Sequence, residues 1–165
     1  MIRKAKIADI EQIMEIIHDA QSLLSSLGVD QWQDGYPTAE IIHSDINNGE
    51  CFVVVEEGQI VGSVVISFAG EPTYKIIEGE WMNSAHYAVI HRLAVRKSAR
   101  GKGYAKYFFD YAELLCQQEG LHNIRVDTHA DNKIMQTLLN SLGYTSCGTI
   151  TLTSGAKRIA FQKEW

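Results

Sequence analysis

The chain has 165 residues, of which 45 % are hydrophobic, and a formal net charge of −5. This length and apolar share fit one domain with a buried core, so we expect a single domain spanning residues 1–165. No apolar run approaches the roughly 20 residues of a membrane-spanning helix, and no signal-type stretch follows the basic amino terminus, so we expect a cytoplasmic protein without a membrane partner.

The basic residues are scattered except for one cluster between Arg96 and Lys102. Such a cluster indicates one local anion site and argues against a nucleic-acid surface. The three cysteines, Cys51, Cys116 and Cys147, are odd in number, widely spaced and never in a CxxC pair. They predict buried free thiols, with neither a disulfide framework nor a bound metal.

The first part of the chain predicts a strand, a long helix, a short helix and a hairpin. These elements cover residues 2–7, 10–27, 38–46, 51–55 and 60–68. Asp9 and Gln12 resemble a capping box before the first helix, and Gly28 ends it. Thr38 can cap the second helix. The polar residues 56–59 between the last two runs are typical of a hairpin turn.

Periodicity is lost over residues 69–85, which we interpret as a loop. The elements after it alternate between strand and helix and cover residues 87–95, 104–120, 123–128, 131–143, 144–152 and 157–161. Asp131 is the predicted cap of the last helix. Its predicted inward residues are Ile134, Met135, Leu138 and Leu142. The order of elements predicts an α/β protein.

The segment from residue 95 to 105 reads VRKSARGKGYA and joins a predicted strand to a predicted helix. Gly101 and Gly103 allow the backbone to approach a ligand closely. The first N–H groups of a helix have no intrahelical partner, and the helix dipole adds partial positive charge there. A phosphate or diphosphate is the natural occupant of such a turn.

Two other phosphate-binding interpretations compete at this turn. A P-loop needs a longer glycine loop that ends in Gly-Lys-Ser or Gly-Lys-Thr, whereas this loop ends in Gly103-Tyr104. A dinucleotide site of a nicotinamide oxidoreductase would use Gly101, Gly103 and Asp127, but Lys106 occupies its third glycine position. Too little chain follows Asp127 to complete a doubly wound domain.

Two motifs resemble those of the GCN5-related N-acetyltransferases (GNAT). Residues 100–105, RGKGYA, match the family pattern (Gln/Arg)-x-x-Gly-x-(Gly/Ala) after a strand of the usual type. Residues 127–132, DTHADN, a helix and residues 142–144, LGY, resemble the second family motif. The resemblance implies a mixed, mostly antiparallel twisted sheet of six or seven strands flanked by helices. It also implies direct transfer of an acetyl group from acetyl-CoA to a primary amine in a ternary complex.

The same resemblance assigns the residues that would bind acetyl-CoA. The backbone of the central strand would contact the pantetheine amides at Leu93, Ala94 and Val95. The diphosphate would bind the turn and the first helical residues Arg100, Gly101, Lys102, Gly103, Tyr104, Ala105 and Lys106. Asn132 falls where family members hydrogen-bond the pantetheine arm.

An attacking amine must first lose a proton, and histidine accepts protons near neutral pH. His91, on the central strand, is therefore the candidate general base. Glu80, His86, His129 or a water chain are alternatives. The chain departs from the family at Leu139, where many members carry a tyrosine beside the sulfur atom. The proton donor to the thiolate is therefore left open.

Aromatic residues in the irregular segments, Trp32, Tyr36 and Trp81, are candidate acceptor-binding residues. The acceptor is a small amine, an aminosugar or a peptide or protein amine, and the sequence does not distinguish them. A second hypothesis is a catalytically silent member that binds acyl-CoA as a sensor or assembly module. A homodimer is compatible with the family's habit.

Overall fold

The structure is a computed structural model of the whole chain, Met1–Trp165. Its strands are β1 (Ile2–Lys4), β2 (Cys51–Glu56), β3 (Gln59–Ser67), β4 (Glu78–Gly79), β5 (Ala88–Val95), β6 (Asn123–Thr128), β7 (Thr145–Thr151) and β8 (Lys157–Glu164). Its α-helices are α1 (Ile10–Ser26), α2 (Ala39–Asn47), α3 (Tyr104–Gln118) and α4 (Lys133–Ser141). Short 3₁₀ turns occupy Ile7–Asp9, Pro72–Lys75 and Lys97–Ala99.

The strands form one sheet in the order β1-β2-β3-β5-β6-β8-β7-β4. Strands β5 and β6 run parallel, whereas β1–β2, β2–β3, β6–β8, β7–β8 and β4–β7 are antiparallel pairs. The prediction of a mixed, mostly antiparallel sheet flanked by helices is confirmed. The sheet has eight strands rather than six or seven, because the two-residue β4 lies in a segment without periodicity.

The chain divides into two compact units. The first consists of Met1–Ile66 and His91–Phe109, and the second of Ser67–Ile90 and Asp110–Trp165. All three changeovers, at residues 66–67, 90–91 and 109–110, fall inside regular elements, namely β3, β5 and α3. The prediction of a single domain stays a prediction.

In the first unit, α1 covers the sheet with an apolar stripe at helical spacing. Ile13, Ile16 and Ile17 are fully buried and belong to one core cluster with residues of β2 and β3. Gly28 follows α1 with a φ of 70°, the left-handed conformation that commonly ends helices. The helix begins at the predicted residue, Ile10, and ends at Ser26, one residue before the predicted end at Leu27, which is its C-cap.

The predicted capping box at the start of α1 is wrong. The carboxylate of Asp9 makes no cap hydrogen bond and instead accepts from Arg3 Nη1 at 2.7 Å and from the Lys6 backbone N–H at 2.7 Å. Gln12 Oε1 accepts from the Ile60 N–H at 3.2 Å. Both side chains therefore hydrogen-bond backbone N–H groups outside α1. The spacing of Asp9 and Gln12 in the sequence does not reveal these partners.

The hairpin and the short helix of this unit follow their local signals. Glu57 and Gly58 have φ values of 50° and 77°, as a two-residue turn between twisted strands requires. Thr38 Oγ1 accepts from the Ile41 N–H at 3.4 Å and caps α2, as predicted.

In the second unit, the cap and part of the buried face of α4 differ from the prediction. Asn132, not Asp131, is the N-cap, and its Oδ1 accepts from the Met135 N–H at 3.1 Å. Ile134, predicted to point inward, is 60 % exposed, whereas Leu139 is fully buried. Met135, Leu138 and Leu142 are half-buried, so Leu139 lies within the inward face and Ile134 lies at its edge.

The segment predicted to be a loop, residues 69–85, contains the turn Pro72–Lys75 and β4. Gly79 of β4 faces Gly148 of β7, and a Cβ on either glycine would overlap the partner's backbone. Two glycines are needed because the chains approach so closely there.

None of the helices combines the length and the apolar character that a bilayer crossing requires. The structure contains no group of three or more His, Cys, Asp or Glu side chains arranged to hold a metal ion. Cys51 and Cys116 are buried free thiols, and burial raises the pKa of each to about 12. Cys147 is partly exposed, so the prediction of buried thiols is wrong at that position.

Candidate functional site

The glycine turn between β5 and α3 is open. Gly101 and Gly103 have φ values of 78° and 83°, and no heavy atom lies within 4 Å of the position that a Cβ would take on either residue. The first regular contact of α3 joins the Tyr107 N–H to the Gly103 carbonyl at 3.0 Å. The N–H groups before it have no intrahelical acceptor, so the turn is a cradle of donors at a positive helix end.

Basic residues fasten this turn to α1. Arg100 Nη2 donates to the Asp19 carbonyl at 2.8 Å, and the Lys97 N–H donates to the Asp19 carboxylate at 3.0 Å. Arg96 pairs with Glu15 at 3.2 Å. These contacts involve part of the basic cluster in positioning the turn, so its cations are not all directed at a ligand.

Glu56, at the end of β2, lies beside the same turn. Its carboxylate is 3.5 Å from Lys102 Nζ, and both side chains are half exposed. A hydrogen bond from Tyr104 and the charge of Lys102 lower the pKa of Glu56, while the same hydrogen bond raises the pKa of Tyr104. Sequence reasoning did not identify Glu56, because it precedes the turn by some forty-five residues.

Strand β5 carries the residues that were predicted to contact the pantetheine amides, and it also carries the candidate general base. Ala94 is buried, and His91, Leu93 and Val95 are half-buried. Arg92 has a φ of 50°, which is outside the extended region. The regular alternation of side chains assumed for His91 and Leu93 is therefore interrupted between them.

The side chain of Arg92 is held by two residues from α2 and the preceding loop. Nε and Nη2 donate to the two carboxylate oxygens of Asp45 at 2.8 and 2.6 Å, and Nη1 donates to the Tyr36 hydroxyl at 2.7 Å. Burial is the largest single influence on the guanidinium and lowers its pKa, but the hydrogen bonds and electrostatic interactions with Asp45 and Tyr36 together outweigh it, so the pKa of Arg92 is raised. Neither Arg92 nor Asp45 was predicted from the sequence to have a role at this site.

Trp32 and Tyr36 lie together in the loop between α1 and α2. Their rings meet edge to face with centroids 6.5 Å apart, and Trp32 also packs against the core. Trp32 lines an open groove of about 500 Å³. The other lining residues are Gln21, Ser22, Ser25, Ser26, Gln33 and Gly35. The groove is uncharged and polar apart from the indole.

Trp81, in the second unit, has the contacts of an anchor for its loop. Its Nε1 donates to the Tyr74 carbonyl at 2.9 Å, and its ring stacks 4.2 Å from the guanidinium of Arg125. Tyr87 covers Arg125 at 4.0 Å. Burial lowers the pKa of Arg125. These contacts supply a structural reason for Trp81, so its predicted acceptor contact is left without support.

Asp127, the acid on which the dinucleotide interpretation rested, accepts a 2.6 Å hydrogen bond from the Tyr74 hydroxyl. Tyr74 is 1 % exposed, and burial raises its pKa well above the ordinary value. A carboxylate engaged by a buried phenol is poorly suited to bind a ribose. The alternative oxidoreductase interpretation therefore loses its main residue.

The predicted site residues divide between the two units. The first contains His91, Leu93, Ala94, Val95, the turn Arg100–Lys106, Trp32 and Tyr36. The second contains Trp81 and Asn132, and the Asn132 side chain caps α4. Within the first unit, a single strand-turn-helix segment carries both the candidate base and the anion cradle.

A family model described as the acetyltransferase (GNAT) family matches residues 10–144. The chain is similar to a GNAT-family acetyltransferase from Streptococcus agalactiae, with 37 % identity, a TM-score of 0.89 and coverage of 100 % of this chain and 95 % of that chain. A candidate acetyltransferase from Staphylococcus aureus has 27 % identity and a TM-score of 0.76, covering 99 % of this chain and 98 % of that chain.

A third structure extends the likeness of fold. It is the PaiA N-acetyltransferase from Thermoplasma acidophilum in complex with coenzyme A, with 15 % identity and a TM-score of 0.76. The match covers 100 % of this chain and 98 % of that chain.

Proposed function

Because the chain belongs to the acetyltransferase (GNAT) family, we propose that it is an N-acetyltransferase that moves an acetyl group from acetyl-CoA directly to a primary amine in a ternary complex. The acceptor is a small molecule or a peptide with such an amine. The observation that supports this proposal most directly is the open glycine turn at the start of α3.

The turn fits the diphosphate of coenzyme A. Gly101 and Gly103 leave open space where side chains would stand. The first N–H groups of the helix have no intrahelical acceptor and point toward the same space. Backbone donors from Arg100 to Lys106 would hold the diphosphate, with Lys102 adding charge once it leaves Glu56. Arg100 would act mainly by fastening the turn to α1.

The pantetheine arm of acetyl-CoA would be bound by residues of β5 and by the residue that caps α4. Leu93, Ala94 and Val95 would offer backbone groups to the pantetheine amides, and Asn132 would hydrogen-bond the same arm. When bound, acetyl-CoA supplies an activated acyl group on a thiolate leaving group. The chain's own task is to hold it, to accept a proton from the amine and to exclude water.

His91 is the proposed acceptor of the amine proton. It is half-buried on β5, directly before the irregular residue Arg92. An imidazole accepts a proton near neutral pH, where an alkyl ammonium with a pKa of about 10 does not release one unaided. Glu80, His86 and His129 are the alternatives, and Glu80 and His86 are exposed.

Neither Leu139 nor the nearby phenol of Tyr144 is suited to protonate the leaving thiolate. Leu139 occupies the usual tyrosine position and is fully buried in α4. Tyr144 is 3 % exposed, and burial raises its pKa far above the ordinary value. A thiolate leaves without prior protonation more readily than an alkoxide, so we infer that this enzyme needs no dedicated donor.

The acceptor would bind near Tyr36 and Trp32, the aromatic residues of the first unit. Tyr36 is 36 % exposed, and its hydroxyl contacts Arg92 on the strand that carries His91. Trp81 is the weaker candidate, since its contacts already explain its position. We place the reaction in the cytoplasm.

One observation keeps a second function in consideration. The buried leucine at position 139 removes a group that many members use, which is compatible with a silent acyl-CoA sensor. Release of free coenzyme A thiol with any member of an amine panel would favour the enzyme. Tight acetyl-CoA binding without release across the panel would favour the sensor.

The donor site is tested by calorimetric titration of acetyl-CoA into two variants of one glycine, Gly103→Asn and Gly103→Asp. Both residues tolerate a positive φ comparatively well, and the two side chains have nearly the same shape, so they differ in charge. The carboxylate would face the diphosphate. We expect the Asp variant to bind roughly ten-fold or more weakly than the Asn variant.

Micromolar binding by the wild-type chain together with this difference would support the cradle. Equal affinity of the two variants for acetyl-CoA would mean that the diphosphate does not bind close to Gly103. If the wild-type chain bound neither acetyl-CoA nor coenzyme A, the proposed function would be wrong.

A further inference from the structure

Arg92 adopts a backbone conformation that is unfavourable for an arginine. Its φ of 50° lies in the left-handed region, in the middle of β5 and between His91 and Leu93. Residues other than glycine, asparagine and aspartate seldom visit this region, because Cβ then crowds the carbonyl oxygen. Such a conformation persists where the surrounding contacts hold it in place.

Those contacts are made by the side chain of the same residue. The guanidinium forms a two-pronged pair with Asp45, at 2.8 and 2.6 Å, and a third hydrogen bond to the Tyr36 hydroxyl at 2.7 Å. The side chains of Arg92 and Asp45 are only 15 % and 8 % exposed. The planar guanidinium forms two parallel hydrogen bonds to the carboxylate, so the pair fixes the orientation of the side chain as well as balancing its charge. A lysine ammonium cannot form this two-pronged pair.

Both partners are themselves anchored. Asp45 belongs to α2, and its carbonyl accepts from the Glu50 N–H at 3.0 Å just beyond that helix. The Tyr36 carbonyl accepts from Gln21 Nε2 at 3.0 Å, and its ring meets Trp32. The network therefore connects the irregular point of β5 to α2 and to the loop that precedes α2.

Resting on the function proposed above, we propose that Arg92 and Asp45 are positioning residues for the acetyl group. Their paired side chains hold the left-handed φ of Arg92 and so keep a backbone N–H of this segment out of the strand ladder. A strand N–H released by such an irregularity is available to a developing oxyanion. Recognition of the acetyl carbonyl thus depends on this pair, whereas recognition of the diphosphate depends on the glycine turn.

The test separates the backbone conformation from the charges. In an Asp45→Asn background, Arg92 is changed to glycine in one variant and to alanine in the other. Both lack the guanidinium and its carboxylate partner, so no unpaired charge is buried. They differ in one Cβ, and glycine accepts a positive φ freely whereas alanine does not.

Each protein is titrated by calorimetry with coenzyme A and with acetyl-CoA, and the ratio of the two Kd values reports on the acetyl group. We expect the wild type to prefer acetyl-CoA and the glycine variant to retain much of this preference. The alanine variant should lose it by about ten-fold, the factor that corresponds to the strain of a left-handed alanine. The Kd for coenzyme A should be unchanged in all three.

Several results would overturn the proposal. The first is a wild type whose Kd values for coenzyme A and acetyl-CoA are nearly equal. The second is a ratio of these two Kd values that is the same in the glycine and alanine variants. The third is a loss of coenzyme A binding by variants whose circular dichroism is native. A wild type that binds coenzyme A without preferring acetyl-CoA contradicts this proposal alone. A wild type that binds neither contradicts the proposed function as well.

A single substitution guards against misfolding of the double variants. Arg92→Lys keeps a cation beside Asp45 but cannot form the fork. We expect a lowered preference for acetyl-CoA with an unchanged Kd for coenzyme A. An unchanged preference would show that the fork has no positioning role.

Discussion

Asp9 illustrates how one side chain connects distant backbone. Its carboxylate pairs with Arg3 of β1 and accepts the Lys6 N–H, immediately before α1. The hydrogen bond from Arg3 is the largest cause that lowers the pKa of Asp9, and it outweighs the opposing effect of burial. The ionised form therefore stabilises the folded chain.

We expect Asp9→Asn to lower the free energy of unfolding by about 1–2 kcal/mol near neutral pH, because charged hydrogen bonds are lost. A depressed pKa contributes stability that is present above the unfolded value of 3.8 and is lost as the pH falls through the folded value. Urea denaturation at several pH values measures this difference, which should shrink below about pH 4.

The matched control is Asp30→Asn, since Asp30 is exposed in the loop after α1. It should leave the unfolding free energy nearly unchanged. A loss for Asp9→Asn that is the same at pH 3 and pH 7 would contradict an ionic origin.

Among the elements, β3 depends on a glycine to pack against α3. Gly62 pairs with Val54 of β2. A Cβ at Gly62 would lie 2.9 Å from Phe108 Cε2 and 3.1 Å from Val54 Cγ1. Phe108 is fully buried, so its ring has little freedom to withdraw. The requirement is for space, since the φ of Gly62 is not positive.

We predict that Gly62→Ala lowers the free energy of unfolding by about 1–3 kcal/mol through overpacking. Chemical denaturation measures this loss of stability. Adding Phe108→Leu to the Gly62→Ala chain tests whether overpacking against the Phe108 ring causes it. The smaller side chain should relieve the clash, so the double variant should lose less stability than the sum of the single losses. Additive losses would place the strain elsewhere.

For the molecule as a whole, the elements that span the two units determine how cooperatively the chain unfolds. Trp32 lies in the first unit, and Trp81 and Trp165 lie in the second. Strands β3 and β5 and helix α3 each contribute residues to both units. Since a strand or helix that spans a boundary unfolds with both of its ends, we predict one cooperative transition.

Two variants with a single tryptophan measure this cooperativity. One retains Trp32 and the other retains Trp165, with phenylalanine at the remaining tryptophan positions. In each variant, fluorescence reports one unit and far-ultraviolet circular dichroism reports all helices. The two midpoints in urea should coincide within each variant. Separate midpoints would mean two domains.

Most elements were predictable from the sequence because their signals are local. Helix α1 follows from apolar spacing and a terminal glycine, and β6 was predicted with the bounds Asn123–Thr128 that the structure has. The glycine turn and the second motif lie within a continuous stretch of chain, so they sufficed to predict the family and the fold. Errors arose where local signals were short, as at β4, or degenerate, as at Asp131 and Asn132.

The tertiary structure decided which side chains meet across long separations. Arg92 and Asp45 are 47 positions apart, and Tyr74 and Asp127 are 53 apart. Periodicity records whether a position faces inward, but not which partner it finds there, because that depends on how whole elements pack. The left-handed backbone conformation of Arg92 is likewise decided by the tertiary structure, because its packed partners hold the arginine in that conformation.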